Sequence, residues 1–276
     1  MGFGMNRSRK YIILILALSI SLLSIKYIVP SKKAEVSNDK GILSNKEQVY
    51  ETRMLDQPKI KSFPSANNSD MSVKEKLNIE TITHTLPLDV PLIYQMSAPK
   101  LYNGCEVTSL AMLLNYYDIN VTKNDLAEKI NYVPLTYKNG QKGNPNEGFV
   151  GDMAHGPGLG VYHSPILKLA QQYVGMRAID ITNQPFSEIL KEVENGHPIW
   201  VITTANFAPV ADFKDWDTPQ GPIKVTYSEH SVVITGFDED HIFLNDPYGV
   251  KNRKVSRAGF EKAWEQMGSQ AVIIDE

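Results

Sequence analysis

The fold is decided by the stretch Asn103-Gly104-Cys105-Glu106-Val107-Thr108-Ser109-Leu110-Ala111-Met112-Leu113-Leu114-Asn115-Tyr116-Tyr117. Its Asn-Gly pair is typical of a turn. The apolar residues after the cysteine recur at intervals of three and four positions, which predicts a buried amphipathic helix. This helix begins at Cys105, where the positive end of the helix dipole favours the thiolate form of a thiol.

Cys105 is the single cysteine of the 276 residues, so the chain cannot form an intramolecular disulfide. A lone cysteine is often a small buried hydrophobic residue. A cysteine nucleophile of the papain type instead has a histidine and an orienting Asn or Asp roughly 130–150 residues downstream. His230 follows Cys105 by 125 positions, at the start of the apolar run 231–235. Asp246 ends the next such run, and Asn245 beside it is an alternative orienting residue.

The order of the predicted elements indicates an α+β domain. Capping, helical spacing and stop signals predict helices that begin at Cys105, Thr122, Ser164, Pro185 and Ser256. An extended segment covers Leu88–Gln95, and a loop covers Tyr137–Gly160. Strands are predicted at Pro198–Thr204, Glu229–Phe237, His241–Asn245 and Gln270–Ile274. Helices first and strands later favour α+β over a parallel doubly wound sheet.

Composition indicates a globular protein that does not bind nucleic acid. Hydrophobic residues make up 42% and charged residues 21%, which is ordinary for a domain with a buried core. The net charge is −3 and the pI is about 6.1, whereas a dedicated nucleic-acid binder is usually strongly basic.

The first thirty residues predict export. Arg7, Arg9 and Lys10 precede an apolar run that extends from Tyr11 to Val29 with Lys26 near its end. Positive charge before an apolar core is typical of an export signal, and Lys26 can snorkel to a membrane interface. We therefore predict an uncleaved membrane anchor with a cytoplasmic amino end. A cleaved signal peptide, which would release the protein as a secreted one, is the alternative.

Three segments follow from these patterns. Residues 1–30 are the anchor or signal peptide, residues 31–85 are a polar flexible linker, and residues 86–276 are one domain. The linker is rich in Lys, Ser, Asn, Glu and Asp and shows little periodicity. The predicted localisation is a cell membrane with this domain on the extracytoplasmic side.

Three motifs in the same order resemble the family related to bacteriocin-leader (double-glycine) peptidases. They are the Asn103–Tyr117 stretch, His230-Ser231-Val232-Val233-Ile234-Thr235-Gly236 and Asn245-Asp246-Pro247-Tyr248-Gly249. The likeness extends over residues 86–276 and is nearest to stand-alone, exported bacterial members. It implies a papain-like cysteine peptidase fold, with the cysteine in a helical half and the histidine and aspartate in an antiparallel sheet. It also implies roles for the site residues: nucleophile for Cys105, general base for His230, orienting residue for Asp246 and oxyanion donor for Gln95.

The sequence thus predicts a thiol-dependent hydrolase that cleaves a peptide or amide bond without a cofactor or metal. A non-catalytic surface binding module with the same fold and an amide transferase of the transglutaminase type are the alternatives. His155 and His163 lie eight positions apart, a spacing that matches no familiar zinc motif. The acidic residues around Trp216 predict a solvated loop, with a weak calcium site as the alternative.

Overall fold

The computed structural model describes residues 85–276. The predicted anchor (1–30) and nearly all of the predicted linker (31–85) lie outside the described residues, so both remain predictions. No helix within residues 85–276 is long and apolar enough to cross a membrane.

Most of the helical half precedes the main sheet, as the sequence predicts, although the first strand of that sheet (Ala178–Asp180) comes before the last of these helices. Its helices are α1 (Cys105–Tyr116), α2 (Lys123–Lys129), α3 (His163–Val174, extended by a 3₁₀ turn at Gly175–Arg177) and α4 (Phe186–Glu194). The predicted capping box of α2 is present, with reciprocal hydrogen bonds between Thr122 and Asp125. Helix α3 begins one residue before the predicted start, because the side-chain oxygen of Gln270 accepts a hydrogen bond from the His163 amide.

The main sheet holds six strands, which are β3 (Ala178–Asp180), β4 (Ile199–Thr204), β7 (Glu229–Phe237), β8 (His241–Asp246), β9 (Val250–Ser256) and β10 (Ala271–Ile274). Helix α5 (Arg257–Gln266) lies between β9 and β10 in the chain. The strand order in the sheet is β3-β10-β4-β7-β8-β9, and every neighbouring pair is antiparallel. The predicted α+β class is therefore confirmed.

Two small sheets correct the sequence-based picture. Strands β1 (Tyr132–Val133) and β2 (Phe149–Val150) pair in parallel, so the predicted loop contains a strand. The acidic segment around Trp216 is not a solvated loop but strand β5 (Lys214–Thr218), paired with β6 (Gly221–Val225). The indole of Trp216 is buried among aliphatic side chains, which an acidic composition does not predict.

The segment 88–95, which the sequence predicts to be extended, forms no strand, and Gln95 lies in a turn. Pro91 has no amide hydrogen to donate to a ladder. Val90 is fully buried against Met112 and Val233 instead, and its carbonyl oxygen accepts a hydrogen bond from the Asn245 side chain at 2.9 Å. The segment therefore ties α1 to the central strands and contributes to the core.

The core lies on both faces of the sheet. Trp200 and Ile202 of β4 face the cluster that contains α1 and α3, whereas Ile199 and Val201 face the cluster that contains α4 and α5. Burial of each such side chain contributes roughly 1.5–3 kcal/mol. The indole nitrogen of Trp200 also donates to the Glu106 carbonyl oxygen at 3.0 Å. This bond fixes the first turn of α1 against the middle of the sheet.

Candidate active site

Cys105 is the first residue of α1 and is almost completely buried. The residue before it must be glycine, because a Cβ at Gly104 would lie 2.5 Å from the Cβ of Leu101. The close approach that requires a glycine is to the chain's own loop. The thiol is thereby held at the positive end of the α1 dipole.

Two buried carboxylates lie next to the thiol. The Cys105 Sγ atom is 3.3 Å from Oε2 of Glu106, and Oε1 of Glu106 accepts a hydrogen bond from the Val161 amide at 2.8 Å. A carboxylate oxygen of Glu229 lies within 4.8 Å of both Sγ and the Glu106 carboxylate. Gly160, at a φ of +153°, packs against both carboxylates, and a Cβ there would collide with them.

These carboxylates are functional candidates that sequence reasoning missed. The signal was present, because Glu106 follows the cysteine directly and Glu229 precedes His230 directly. Negative charge beside a thiol disfavours the thiolate and opposes the effect of the helix dipole.

His230 and Asp246 form a buried hydrogen-bonded pair. Nε2 of His230 lies 3.0 Å from Oδ1 of Asp246, and both side chains are inaccessible to solvent. Burial alone would raise the pKa of Asp246. The charge and hydrogen bond of His230, the Tyr248 amide and the charge of Arg253 outweigh it and lower that pKa to about 2. Asp246 is therefore a carboxylate at every ordinary pH.

The imidazole is fixed by two aromatic rings. The Tyr248 ring stacks on His230 with 4.8 Å between centroids and 10° between planes. The Phe207 ring lies on the cluster of α4 and α5, at 6.2 Å and 54° from the imidazole. Nε2 of His230 bonds to Asp246, so Nδ1 is the ring nitrogen that faces away from this carboxylate.

Asn245, the alternative orienting residue, has other partners. Its Nδ2 donates to the Val90 carbonyl oxygen, and its Oδ1 accepts from the Asn252 amide at 3.0 Å. The residue that contacts the imidazole is therefore Asp246, one position further along β8.

Gln95 connects the loop before Cys105 to the turn after Asp246. Its backbone amide donates to the Pro247 carbonyl oxygen at 2.9 Å, and its carbonyl oxygen accepts from the Leu101 amide at 3.1 Å. Its side-chain nitrogen donates to the carbonyl oxygens of Leu101 and Tyr102, at 3.1 and 3.2 Å. Two carbonyl acceptors fix the orientation of this amide. Gln95 is fully buried and braces the thiol loop.

The remaining polar residues singled out in the sequence lie apart from this site. His163 bonds to Asp180 at 2.8 Å, and the exposed His155 lies 3.4 Å from Asp152. The two histidines have different partners and share no ligand set. Asp212 accepts hydrogen bonds from the hydroxyls of Thr226 and Ser228, which accounts for its charge without a calcium ion.

The helix-borne cysteine and the His–Asp pair on an antiparallel sheet define a papain-like architecture, and the chain belongs to the Peptidase_C39 like family, whose model matches residues 87–272. It is 56% identical over 215 residues to the uncharacterized protein YvpB of Bacillus subtilis (strain 168), which corresponds to 78% of this chain and 85% of YvpB. It is also similar to a crystal structure from Bacillus anthracis, provisionally described as a C39-like peptidase. That match has 43% identity and a TM-score of 0.66, and covers 69% of this chain and 97% of the other.

Proposed function

We propose that this protein is a cysteine peptidase that hydrolyses a peptide or amide bond with Cys105 as nucleophile. The observation that carries the proposal is the buried His230–Asp246 pair, 3.0 Å apart, in a chain whose single cysteine begins a helix. Gln95 supports it, because its backbone bonds hold the thiol loop and the Asp246 turn together. Membership of the C39-like family agrees with this chemistry.

The proposed reaction is acyl transfer to water. The Cys105 thiolate attacks the substrate carbonyl carbon, and the C–N bond breaks as the His230 imidazolium gives its proton to the leaving amine. A thioester remains. Neutral His230 then takes a proton from water, whose oxygen attacks the thioester, and the thiolate leaves as the carboxylic product forms.

The oxyanion of each tetrahedral intermediate needs hydrogen-bond donors. The Cys105 amide and the Gln95 side chain are the donors that we propose. The Gln95 amide nitrogen already donates to two carbonyl oxygens, so this role requires it to exchange one of them for the oxyanion. Loss of one oxyanion donor costs roughly 10²–10³ in rate.

We further propose that the reaction takes place outside the membrane, because of the N-terminal charge and apolar pattern. The substrate would then be an exported peptide or protein. Fractionation with external protease treatment tests this part: we expect the full-length chain in the membrane fraction and digestion of the domain from outside. A soluble product that begins just after Val29 would show that the segment is a cleaved signal.

Labelling of the full-length protein with a thiol-directed peptidase inhibitor of the epoxide class tests the chemistry. We expect labelling of the wild type, none of Cys105→Ala and little of His230→Ala. His163→Ala is the matched control, because His163 also pairs with an aspartate, Asp180, but away from the thiol. Equal labelling of wild type and His230→Ala would contradict the proposal and favour the binding module.

A further inference from the structure

Arg253 makes a direct ion pair with the buried carboxylate of Asp246. Its Nη1 atom lies 3.1 Å from Oδ2, whereas Oδ1 is bonded to His230 and to the Tyr248 amide. The two oxygens of one buried carboxylate thus contact the imidazole on one side and a guanidinium on the other.

The backbone of β9 is irregular where it supplies this arginine. Leu244 of β8 pairs with Arg253 of β9, and Asp246 of β8 pairs with Val250 of β9. Two steps along β8 therefore correspond to three steps along β9. The extra residue forms a bulge at Asn252, whose φ is +48°, and Asn245 accepts its amide hydrogen. Bulges next to active sites commonly redirect a side chain.

The Arg253 side chain is also held by packing. Its guanidinium carbon lies 5.1 Å from the centroid of the Phe207 ring, and the same ring packs against the imidazole of His230. Only 27% of the arginine side chain is exposed. An aromatic face attracts a cation, so this contact limits the positions open to the guanidinium.

We infer that Arg253 is a positioning residue, which keeps Asp246 ionised and directed at His230 when the imidazole is neutral. This inference rests on the proposed function. In the thioester stage His230 is neutral and acts as the base, so the buried carboxylate no longer has an imidazolium beside it. A buried carboxylate without a cation tends to take up a proton. Arg253 supplies the cation, and the imidazole keeps its hydrogen on Nε2 and its free electron pair on Nδ1.

The charges around the pair are accounted for on each strand. On β7, Glu229 directly precedes His230, and its carboxylate lies near the Cys105 thiol. On β9 the two lysines have other partners, since Lys251 bonds to Asp89 and Lys254 to Asp238. Tyr248 offers its ring and its backbone amide to the pair.

Removal of Arg253 should raise the pH midpoint of deacylation. The cation favours loss of the proton that His230 and Asp246 share, so without it the pair holds that proton to higher pH. Deacylation needs the neutral base and should therefore reach its plateau at higher pH. We expect a shift of about one pH unit and roughly tenfold slower deacylation at pH values well below the wild-type midpoint.

The experiment measures the pH dependence of acetyl-enzyme hydrolysis after a pulse of p-nitrophenyl acetate, by intact mass, on full-length protein. Arg253→Met should raise the midpoint, and Arg253→Lys should restore most of the wild-type value. Arg257→Met is the matched control, since that guanidinium also lies over a phenylalanine ring, Phe237, without touching Asp246.

The outcomes separate the two hypotheses. A wild type that forms no acetyl-enzyme on Cys105 overturns the proposed function itself. A wild type that turns over, with an unchanged midpoint in Arg253→Met or an equal shift in Arg257→Met, overturns the role of Arg253 alone. Should Arg253→Met not fold, Arg253→Gln against Arg253→Lys gives the same comparison with a polar side chain, and equal midpoints in those two variants overturn the role as well.

Discussion

The thiol of Cys105 and the carboxylate of Glu106 are hydrogen-bonded neighbours in the first turn of α1, with 3.3 Å between Sγ and Oε2. The helix dipole favours negative charge at this position, but one carboxylate already lies there. A thiolate beside it is disfavoured by repulsion. We therefore expect the reactivity of Cys105 to depend on competition between the helix dipole and, by the proposed mechanism, His230 on one side and the buried carboxylates on the other.

Glu106→Gln should make the thiol more reactive at neutral pH. The amide removes the negative charge and keeps an oxygen for the Val161 amide, so the pKa of Cys105 should fall. Each unit of pKa corresponds to roughly a tenfold change in thiolate fraction. Iodoacetamide alkylation against pH measures this directly, because the chain has a single cysteine. The exposed Glu128→Gln on α2 is the control, and an unchanged alkylation midpoint in Glu106→Gln would count against the competition.

His230→Ala should shift the alkylation midpoint upward, towards about 8.5 for a free thiol. The imidazolium is the strongest cationic partner that we propose for the thiolate. Asp246→Asn should shift the midpoint less, since the amide can still orient the ring while the charge is lost. A wild type that titrates like a free thiol, with no change in His230→Ala, would show that no thiolate–imidazolium pair exists in the resting protein.

Asp246 should contribute to acid sensitivity. Its folded-state pKa is lowered from 3.8 to about 2, so the stabilisation is present above the unfolded pKa and is lost as pH falls through about 2. A shift of this size corresponds to about 2 kcal/mol. Between pH 5 and pH 2 the wild type should therefore lose about 2 kcal/mol more free energy of unfolding than Asp246→Asn. Urea unfolding at both pH values measures the difference, and parallel losses in the two proteins would refute it.

Gln95→Ala should both destabilise the protein and slow acylation. It leaves the buried carbonyl oxygen of Leu101, and the partly buried one of Tyr102, without the Gln95 amide, at a cost of about 1–3 kcal/mol. The exposed Gln184→Ala gives the baseline for a glutamine truncation. Urea unfolding measures the loss of stability, and the rate of acetyl-enzyme formation tests Gln95 as an oxyanion donor. A loss of stability with an unchanged acylation rate would assign Gln95 to the brace alone.

Much of the fold follows from local patterns in the sequence. The strand Glu229–Phe237 is predicted with its observed bounds, and the α2 capping box is read from Thr122 and Asp125. The early start of α3 depends on Gln270, more than a hundred residues away, and no local pattern reports such a partner.

The sequence indicates which residue types form the candidate site, but it does not indicate which charged residues surround them. We propose Cys105 as nucleophile, His230 as base and Asp246 as orienting residue from their order in the sequence together with the resemblance to the family. The involvement of Glu229 and Arg253 depends on which face of a strand is covered and on a bulge at Asn252. Both are properties of the assembled sheet, because strand pairing decides them.

The order of the meander β7–β8–β9 has a consequence for biosynthesis. His230, Asp246 and Arg253 lie on three consecutive strands joined by short turns, whereas Cys105 lies far upstream on α1. Contacts close in sequence form with little loss of loop entropy. A nascent chain that ends before β7 carries the thiol helix without His230 or Asp246. By the proposed mechanism, thiol reactivity would therefore arise only late in synthesis, and the unfinished chain would carry an ordinary thiol.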